Sequence, residues 1–317
     1  MEDISTHIID RKTGISIVVP VFNSGKTIEE LNERINSVLI NEDLDYEIIY
    51  VNDGSSDNSL NQLISIKDNF STVVLINLAK NYGQHNAILC GIRKAKFDIT
   101  LTLDDDLQNP PEEIPKLLAK FKEGYDVVYG YPIKEKHNIL RNLASLITKL
   151  SLKTVMGIEI AQHVSAFRIF KTSLRDSFKN YRGSFISIDV LLSWGSNLFS
   201  AIPVDHHYRP FGESNYTFKK LVQHALNMVT GFSILPLQIA TYLGFGLSIF
   251  GLLILSYVFG RYFIEGSPVP GFPFLASIIS IFSGAQLLAT GIIGEYLARQ
   301  HFRMLDKPQY FIKKIEN

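Results

Sequence analysis

A run of three aspartates, Asp104, Asp105 and Asp106, is the strongest chemical signal in the sequence. Adjacent carboxylates repel one another unless a cation lies among them. On an extended backbone alternate side chains point to one side, which places Asp104 and Asp106 together, with Gln108 a further two residues along. Oxygen ligands of this kind suit Mg²⁺ or Mn²⁺, ions that also contact substrate phosphates. The alternative is a solvated acidic turn.

Three further motifs have the composition of turns or loops at the ends of predicted strands. In Asn52-Asp53-Gly54-Ser55 the residues are turn-forming, and the Asp53 carboxylate beside a helix N-terminus suits a base or ribose. Pro20-Val21-Phe22-Asn23 ends the first apolar run, as a nucleotide loop or a simple turn. Asn81-Tyr82-Gly83-Gln84-His85 opens a helical segment, whose first amides suit an anion. His85 is equally well explained as a capping or packing residue.

Alternating apolar runs and helix-like segments indicate how these motifs are positioned. The predicted strands are Ile15–Val21, Tyr46–Val51, Val73–Asn77 and Ile99–Leu103, and the predicted helices are Thr27–Leu39, Ser59–Asp68 and Gln84–Lys94. Strands that are apolar on both faces and separated by helices predict a parallel sheet covered on both sides. Ligands bind beyond the carboxyl ends of such strands, where all four motifs fall. Residues 1–215 are therefore predicted to form a Rossmann-like α/β domain.

The composition of the chain bears on its partners and its compartment. Among 317 residues there are 31 Lys and Arg and 31 Asp and Glu, so the formal net charge is zero, which argues against a nucleic-acid partner. Cys90 is the only cysteine, so no internal disulfide is possible and a reducing cytosol suits the main domain. The apolar run Ile15–Val21 is short and interrupted by Pro20, which favours a buried strand over a signal peptide.

The last third of the chain has the composition of membrane spans. Residues 221–260 and 266–294 contain no Asp, Glu, Lys or Arg. Each stretch exceeds the roughly 20 residues that a helix needs to cross a bilayer. We expect spans at 235–263 and 272–297, joined as a hairpin by a linker rich in Pro and Gly. A pair of buried core helices is the alternative.

Basic residues near the spans predict their orientation. Lys219 and Lys220 precede the first span, the tail 298–317 is basic, and the loop between the spans offers only Arg261, against Glu265. The positive-inside rule then places the large domain and both termini in the cytoplasm.

Two other segments have features of helices that lie at a membrane surface. Residues 138–155 carry apolar side chains at helical spacing and form either an interfacial helix or a helix packed on the sheet. Residues 216–234 lead directly into the first span and are predicted to form a juxtamembrane amphipathic helix.

In combination, the motifs resemble those of the family 2 glycosyltransferases, whose nucleotide-sugar domain has the GT-A fold. The motifs are Val-Pro-Val-Phe-Asn, Val-Asn-Asp-Gly-Ser-Ser-Asp, Asn-Tyr-Gly-Gln-His and Asp-x-Asp-Leu-Gln-Asn-Pro-Pro-Glu-Glu-Ile-Pro, in that order. Arg209-Pro-Phe-Gly-Glu-Ser214, followed by a hairpin that ends in Gly294-Glu295-Tyr296-Leu297, is similar to the polyprenyl-phosphate glycosyltransferases of that family. The resemblance covers about residues 14–312.

This resemblance implies substrates and a role for each site residue. It implies a nucleotide-sugar donor, UDP-linked in preference to GDP or dTDP, an undecaprenyl or other polyprenyl phosphate acceptor, and Mg²⁺ or Mn²⁺ held by Asp104, Asp106 and Gln108. The implied donor-binding residues are Pro20, Phe22, Asn23, Asp53, Gln84, Asp104 and Asp105. The implied acceptor-phosphate residues are Arg141, Arg168, Arg209 and Ser214, and the implied catalytic residues are Asp104, Asp106, Arg168 and Arg209. Relatives also imply a multi-pass protein of the bacterial inner membrane and a homotetramer.

Two departures from the family pattern bear on the mechanism. Asp105 stands where relatives commonly have Ala, and we expect it to point away from the metal and to be tolerated or to tune charge. Relatives also have an Asp, often named as the base, near Arg168, whereas residues 160–168 contain no acid. Either His163 is the base, or no base is needed because a lipid phosphate is already ionised near neutral pH. The predicted reaction is one displacement that inverts the anomeric centre.

Two other functions fit part of the sequence. A processive polysaccharide synthase also joins such a domain to membrane helices, but it has a Gln-x-x-Arg-Trp motif and more spans. The only tryptophan here is Trp194, in Ser-Trp-Gly. A non-catalytic membrane scaffold of the same fold is opposed by the intact acidic motif, and transfer of labelled sugar to lipid distinguishes it from an enzyme.

Overall fold

The structure, a computed structural model, divides into a sheet unit and a helical unit. It describes residues 12–132, 160, 163–183, 186–208, 230–231, 234–265 and 271–316. The sheet unit comprises residues 1–221 and 308–317, and the helical unit comprises residues 222–307. The predicted α/β domain followed by two apolar helices is therefore confirmed. The predicted segment 138–155 and most of 216–234 lie outside the described residues.

The sheet unit is built on an eight-stranded mixed sheet. Its strands are β1 (Lys12–Val21), β2 (Tyr46–Asn52), β3 (Val73–Leu78), β4 (Phe97–Thr102), β5 (Val127–Pro132), β6 (Arg168–Lys171), β7 (Phe199–Val204) and β8 (Ile312–Glu316). Their order is β7-β5-β6-β4-β1-β2-β3-β8. The strands β6 and β8 run antiparallel to their neighbours, whereas β1 is parallel to β2 and β4, β2 to β3, and β5 to β7.

Helices cover both faces of this sheet. They are α1 (Ile28–Leu39), α2 (Ser59–Asn69), α3 (Gln84–Lys94), α4 (Ile114–Phe121) and α5 (Ile188–Ser193), with 3-10 helices at Pro111–Glu113 and Thr172–Phe178. Alternate residues of β1 serve the two faces, because strand side chains alternate. Ile17 and Val19 pack in the cluster with α1, α2 and α4, and Val18 packs with α3. Gly91 lets α3 approach closely, because a Cβ there would lie 2.4 Å from a Val18 methyl carbon.

The helical unit contains two long apolar helices, α6 (Leu235–Glu265) and α7 (Phe272–Met304). By length and composition, Leu235–Ile264, with mean hydropathy 2.0, and Ile281–Met304, with mean hydropathy 1.2, are candidate membrane spans. The second helix continues past the predicted end at residue 297 to Met304, so Arg299 and Arg303 lie on the helix rather than in a tail.

The end of the chain returns to the sheet unit as β8, which is not part of the predicted architecture. It pairs antiparallel with β3, with Ile315 opposite Ile76. Just before β8, Arg93 of α3 donates to the Gln309 Oε1 at 2.9 Å and to the Tyr310 hydroxyl at 3.3 Å. The last residues of the predicted basic tail, 312–316, thus form a strand that completes the sheet.

Deletion of residues 308–317 is expected to lower the thermal unfolding midpoint of the sheet unit by about 5 °C or more. The deletion removes β8, one of the two strands paired with β3, and exposes the apolar surface that β8 covers. Trp194, the only tryptophan, reports on this region, because its ring packs edge-on against Tyr181, and the Tyr181 carbonyl accepts a bond from Arg93. Lys313→Ala, which shortens an exposed side chain of β8, is the control and should leave the fluorescence midpoint unchanged. An unaltered midpoint after the deletion would contradict this account of β8.

Candidate active site

The carboxyl ends of β1, β2 and β4 bring the predicted motifs to one edge of the sheet. Pro20 lies opposite Val51, and Val18 lies opposite Thr102. Arg168, the first residue of antiparallel β6, lies opposite Thr102 at the same edge. The loop after β1, the loop after β2, the acidic segment after β4 and Arg168 therefore all lie at one edge of the sheet.

The acidic segment is a turn rather than the predicted extended strand. Strand β4 ends at Thr102, and Asp105 and Asp106 occupy a turn. Leu107 has a left-handed φ of 59°, which is uncommon for a residue with a side chain. Its side chain is buried in the main core cluster, which explains why the chain turns inward there. The turn lets the Gln108 amide donate to the Asp106 Oδ1 at 3.1 Å.

The first two carboxylates of the run bind two different segments. Gln84, the first residue of α3, donates from Nε2 to the Asp104 Oδ1 at 2.6 Å. The Phe22 amide donates to the Asp105 Oδ2 at 3.2 Å. Burial raises the pKa of Asp105 to about 6, against the effect of its hydrogen bonds. Asp105 thus points toward the loop after β1, as expected for a residue that is not a metal ligand.

The loop after β1 is fixed to the loop after β2. Asn23 has a left-handed φ of 55°, a conformation that asparagine tolerates. Its amide donates to the Ser55 Oγ at 3.1 Å, and its Oδ1 accepts from the Ser56 amide at 2.8 Å. The Phe22 side chain is 42% exposed, which is high for an aromatic residue at the edge of a core. It is available to stack on a base.

Asp53 connects the loop after β2 to the start of α3. It is only 2% exposed. Its Oδ1 accepts from the Tyr82 amide at 2.7 Å and its Oδ2 from the Gly83 amide at 2.8 Å. Burial raises the pKa of Asp53, and the two amide bonds oppose that shift. The structure gives this carboxylate a bracing role, and its predicted contact with a nucleotide stays a prediction.

Gly54 is required because the loop after β2 passes very close to the segment that precedes α3. Its φ is 67°, and a Cβ at this position would lie 2.5 Å from the Asn81 amide nitrogen. Any other residue would therefore separate the two loops that Asp53 joins.

Arg168 lies inside the domain rather than at its surface. It is 2% exposed and forms a buried ion pair with Asp189, in the first turn of α5. Its Nε donates to the Thr102 Oγ1 at 3.0 Å, and the Tyr129 hydroxyl donates to the Asp189 Oδ1 at 3.1 Å. Burial acts to lower the pKa of Arg168, but the pKa is raised overall by the combined effect of Asp189, Tyr129 and Asp104. Asp189 is thus the acid next to Arg168, although residues 160–168 contain none.

The loop after β7 supplies residues that the sequence analysis missed. The His207 amide donates to the Gln108 carbonyl at 2.8 Å. The His206 ring lies with Nδ1 3.3 Å from the Asn109 Oδ1 and Nε2 3.4 Å from the Gln108 Nε2. The sequence feature that could have indicated these residues is the pair His206-His207, which follows a β-rich run and lies close to Arg209.

The remaining predicted residues are placed as follows. The His163 ring packs on the Tyr131 ring at the end of β5, with centroids 4.3 Å apart. Arg141, Arg209 and Ser214 lie outside the described residues.

The donor set at the acidic turn fits a hard divalent cation that shares its ligands with a substrate. The described residues contain no group of three His, Cys, Asp or Glu that could hold a metal ion by itself. Asp104, Asp106 and the Gln108 amide oxygen supply two carboxylates and one neutral oxygen. Mg²⁺ is commonly bound by one or two carboxylates, with substrate phosphates and water as the other ligands.

The family model described as glycosyl transferase family 2 matches residues 16–181, which include all four motifs. The chain belongs to glycosyltransferase family 2. It is thus a glycosyltransferase, and the resemblance drawn from its motifs is confirmed, as is the GT-A type of α/β domain.

Two relatives match nearly the whole chain. An undecaprenyl-phosphate 4-deoxy-4-formamido-L-arabinose transferase of Enterobacter sp. (strain 638) is 34% identical over 309 residues, 95% of this chain and 93% of the relative. The protein of the same name from Proteus mirabilis (strain HI4320) is 32% identical over 310 residues, with the same coverage.

Solved structures are more distant. Glucosyl-3-phosphoglycerate synthase from Mycobacterium tuberculosis, in complex with Mn²⁺, UDP and glucosyl-3-phosphoglycerate, is 17% identical, with a TM-score of 0.49 over 69% of this chain and 78% of that chain. S. aureus TarS 1–349 in complex with UDP-GlcNAc is 18% identical, with a TM-score of 0.45 over 70% of this chain and 74% of that chain. Matches this distant show neither a ligand nor an acceptor of this chain.

Proposed function

We propose that this enzyme transfers a sugar from a UDP-linked donor to undecaprenyl phosphate or another polyprenyl phosphate. The observation that carries the proposal is 34% identity over 95% of the chain to a transferase named for undecaprenyl phosphate. The hydrogen bond between Phe22 and Asp105 supports it, because this bond joins the loop after β1 (the nucleotide loop) to the acidic turn after β4 (the metal loop). Two helices that are long and apolar enough to cross a membrane support a lipid acceptor. The product is a lipid-phosphate-linked monosaccharide for the cell envelope.

The donor is assigned to the edge formed by the loops after β1, β2 and β4. Phe22, Asn23 and Pro20 lie where a nucleotide base and ribose would bind. Asp104, Asp106 and Gln108 would hold Mg²⁺ or Mn²⁺. When bound, such a cation offsets the negative charge of the leaving nucleoside diphosphate.

The acceptor phosphate is the nucleophile in this proposal. Its second pKa is about 6, so it is largely ionised near neutral pH and needs no base. One phosphate oxygen forms a bond to the anomeric carbon while the bond from that carbon to the diphosphate breaks, which inverts the centre and releases UDP. Arg141, Arg209 and Ser214 are assigned to this phosphate, because guanidinium groups match phosphate oxygens. The buried pairing of Arg168 favours a bracing role for it beneath Asp104.

The topology proposed is that of a multi-pass bacterial inner-membrane protein whose sheet unit and termini are cytoplasmic. Basic residues at the end of α7, among them Arg299 and Arg303, support this orientation, since cytoplasmic flanks are enriched in Lys and Arg. By resemblance the assembly is a homotetramer.

The proposal is tested with the full chain in lipid nanodiscs. Undecaprenyl phosphate is incubated with UDP-, GDP- and dTDP-sugars, including UDP-linked 4-deoxy-4-formamido-L-arabinose, and the lipids are weighed by mass spectrometry. We expect one lipid monophosphate sugar, formed from a UDP donor, with inverted anomeric configuration by NMR. Undecaprenol, which lacks the phosphate, is the control and should give no product. Failure of every donor, or equal transfer to undecaprenol, would contradict the proposal.

His163→Ala is expected to keep turnover within about tenfold of the wild type, because the acceptor needs no proton removed. The measurement is kcat at saturating donor and acceptor, together with the dissociation constant of UDP. Tyr131→Leu, which removes the ring that His163 packs against, controls for local repacking. A loss of about 10²–10⁴ in kcat for His163→Ala alone, with UDP binding unchanged, would make His163 the base.

A further inference from the structure

Asp105 binds the loop after β1 through both its side chain and its main chain. Its Oδ2 accepts from the Phe22 amide at 3.2 Å. Its carbonyl oxygen accepts from the Thr27 hydroxyl at 2.6 Å. One residue of the acidic run thus contacts both ends of the nucleotide loop, the segment between β1 and α1.

Both joined loops contain a residue in the left-handed region. Asn23 has φ 55° in one loop and Leu107 has φ 59° in the other. Such conformations persist only where the surrounding structure fixes them. Asp105 lies two residues before Leu107, and its partners Phe22 and Thr27 lie on either side of Asn23, so its hydrogen bonds restrain both turns together.

We propose that Asp105 is a positioning residue that joins the nucleotide loop to the metal loop and so presents Phe22 and Asn23 to the donor nucleotide. Its neighbours Asp104 and Asp106 are assigned to the cation, whereas Asp105 acts through the main chain of the other loop. The inference rests on the proposed use of a nucleotide-sugar donor. It gives a structural basis to the donor-binding role implied for Asp105, in place of the expectation that the residue is tolerated or tunes charge.

The bonds that survive in an alanine variant set the size of the effect. An alanine still offers the main-chain carbonyl to Thr27, so one of the bonds between the loops survives. Loss of the carboxylate removes the bond from Phe22. Asp105→Ala should therefore weaken donor binding rather than abolish transfer.

The experiment compares nucleotide binding by three variants with binding by the wild-type chain in nanodiscs. UDP, GDP and dTDP are titrated by calorimetry, and the tightest ligand is used for Asp105→Ala, Asp105→Asn and Asp98→Ala. Asp98→Ala is the matched control, because the Asp98 Oδ1 also accepts a main-chain amide, that of Gly14 at 2.9 Å, but at the opposite end of β4. Fluorescence of Trp194 measures the stability of each variant.

The expected result is a dissociation constant about tenfold higher for Asp105→Ala, and one within about threefold of wild type for Asp105→Asn, whose amide oxygen still accepts from Phe22. The donor KM should rise in parallel, with kcat and the acceptor KM little changed. Asp98→Ala should bind as wild type does. Unchanged binding by Asp105→Ala, or an equal loss in Asp98→Ala, overturns the inference. If the wild type binds none of the three nucleotides, the proposed function itself fails.

Discussion

Replacing Asp106 with alanine is expected to lower sugar transfer by about a thousandfold or more while leaving the protein folded. The Asp106 carboxylate accepts a bond from the Gln108 amide in a solvent-accessible turn, so the core loses little when it is removed. The reaction loses much more, because one of the two carboxylates assigned to the cation is gone, and the charge of the leaving diphosphate is then less well offset. Removal of divalent ions from the wild type with EDTA should cause a comparable loss, restored by Mg²⁺ or Mn²⁺.

The measurement is the initial rate of lipid product formation over a range of Mn²⁺ concentrations. Unfolding followed by Trp194 fluorescence shows whether the variant is folded. Asp98→Ala serves again as the control, since it removes a carboxylate at the other end of β4, the strand that precedes the acidic turn, and should keep its rate. Wild-type transfer by Asp106→Ala would remove the basis for placing the metal at this turn.

Regular elements with strong local patterns were predictable from the sequence. The strands β1 to β4 and the helices α1 to α3 are confirmed with bounds close to those expected, because apolar runs and helical periodicity record burial directly. The common location of the motifs followed from topology, since parallel strands end at one edge. This is why the four loop motifs could be assigned to one edge of the sheet from the sequence, whereas Arg168, on antiparallel β6, was implied only by the family resemblance.

The shape of the acidic segment was not predictable from its composition. An extended backbone was assumed between Asp104 and Gln108, whereas the structure has a turn there. The turn depends on Leu107, whose side chain enters the core while its backbone takes a left-handed φ. Burial of one leucine is a tertiary effect, and no local pattern marks it.

Long-range partners were also missed. Strand β8 has two lysines in five residues, so its local composition suggests a solvated tail, and only pairing with β3 makes it a strand. In the same way, a search for an acid close in sequence to Arg168 could not find Asp189. That partner lies 21 residues further on and is brought to Arg168 by the fold.

Arg168→Met is expected to destabilise the sheet unit by about 3–5 kcal/mol, the largest stability effect of any substitution considered for this chain. It leaves the Asp189 carboxylate buried without its cation, and the Tyr129 hydroxyl bonded to an unpaired charge. Asp189→Leu should cost a similar amount, because it leaves the guanidinium buried. The free energy of unfolding is measured in urea by Trp194 fluorescence.

The ion pair between Lys171 and Asp126 provides a control on the same strand, β6. Its charged atoms are 2.6 Å apart, but the Lys171 side chain is 49% exposed. Pairs exposed to water contribute about 0–1 kcal/mol, so Lys171→Met should cost little. Equal losses for Lys171→Met and Arg168→Met would contradict the importance of burial.

The double variant Arg168→Met with Asp189→Leu separates the two roles that have been considered for Arg168. Replacing both charges with apolar groups should recover most of the lost stability, because neither charge is left buried alone. If Arg168 is a brace, the folded double variant keeps an acceptor KM within about threefold of the wild type. If Arg168 instead meets the acceptor phosphate, stability returns but the acceptor KM stays high, since a methionine cannot bind phosphate. We expect the first result, because a guanidinium only 2% exposed and paired with Asp189 would have to break that pair to reach a lipid phosphate.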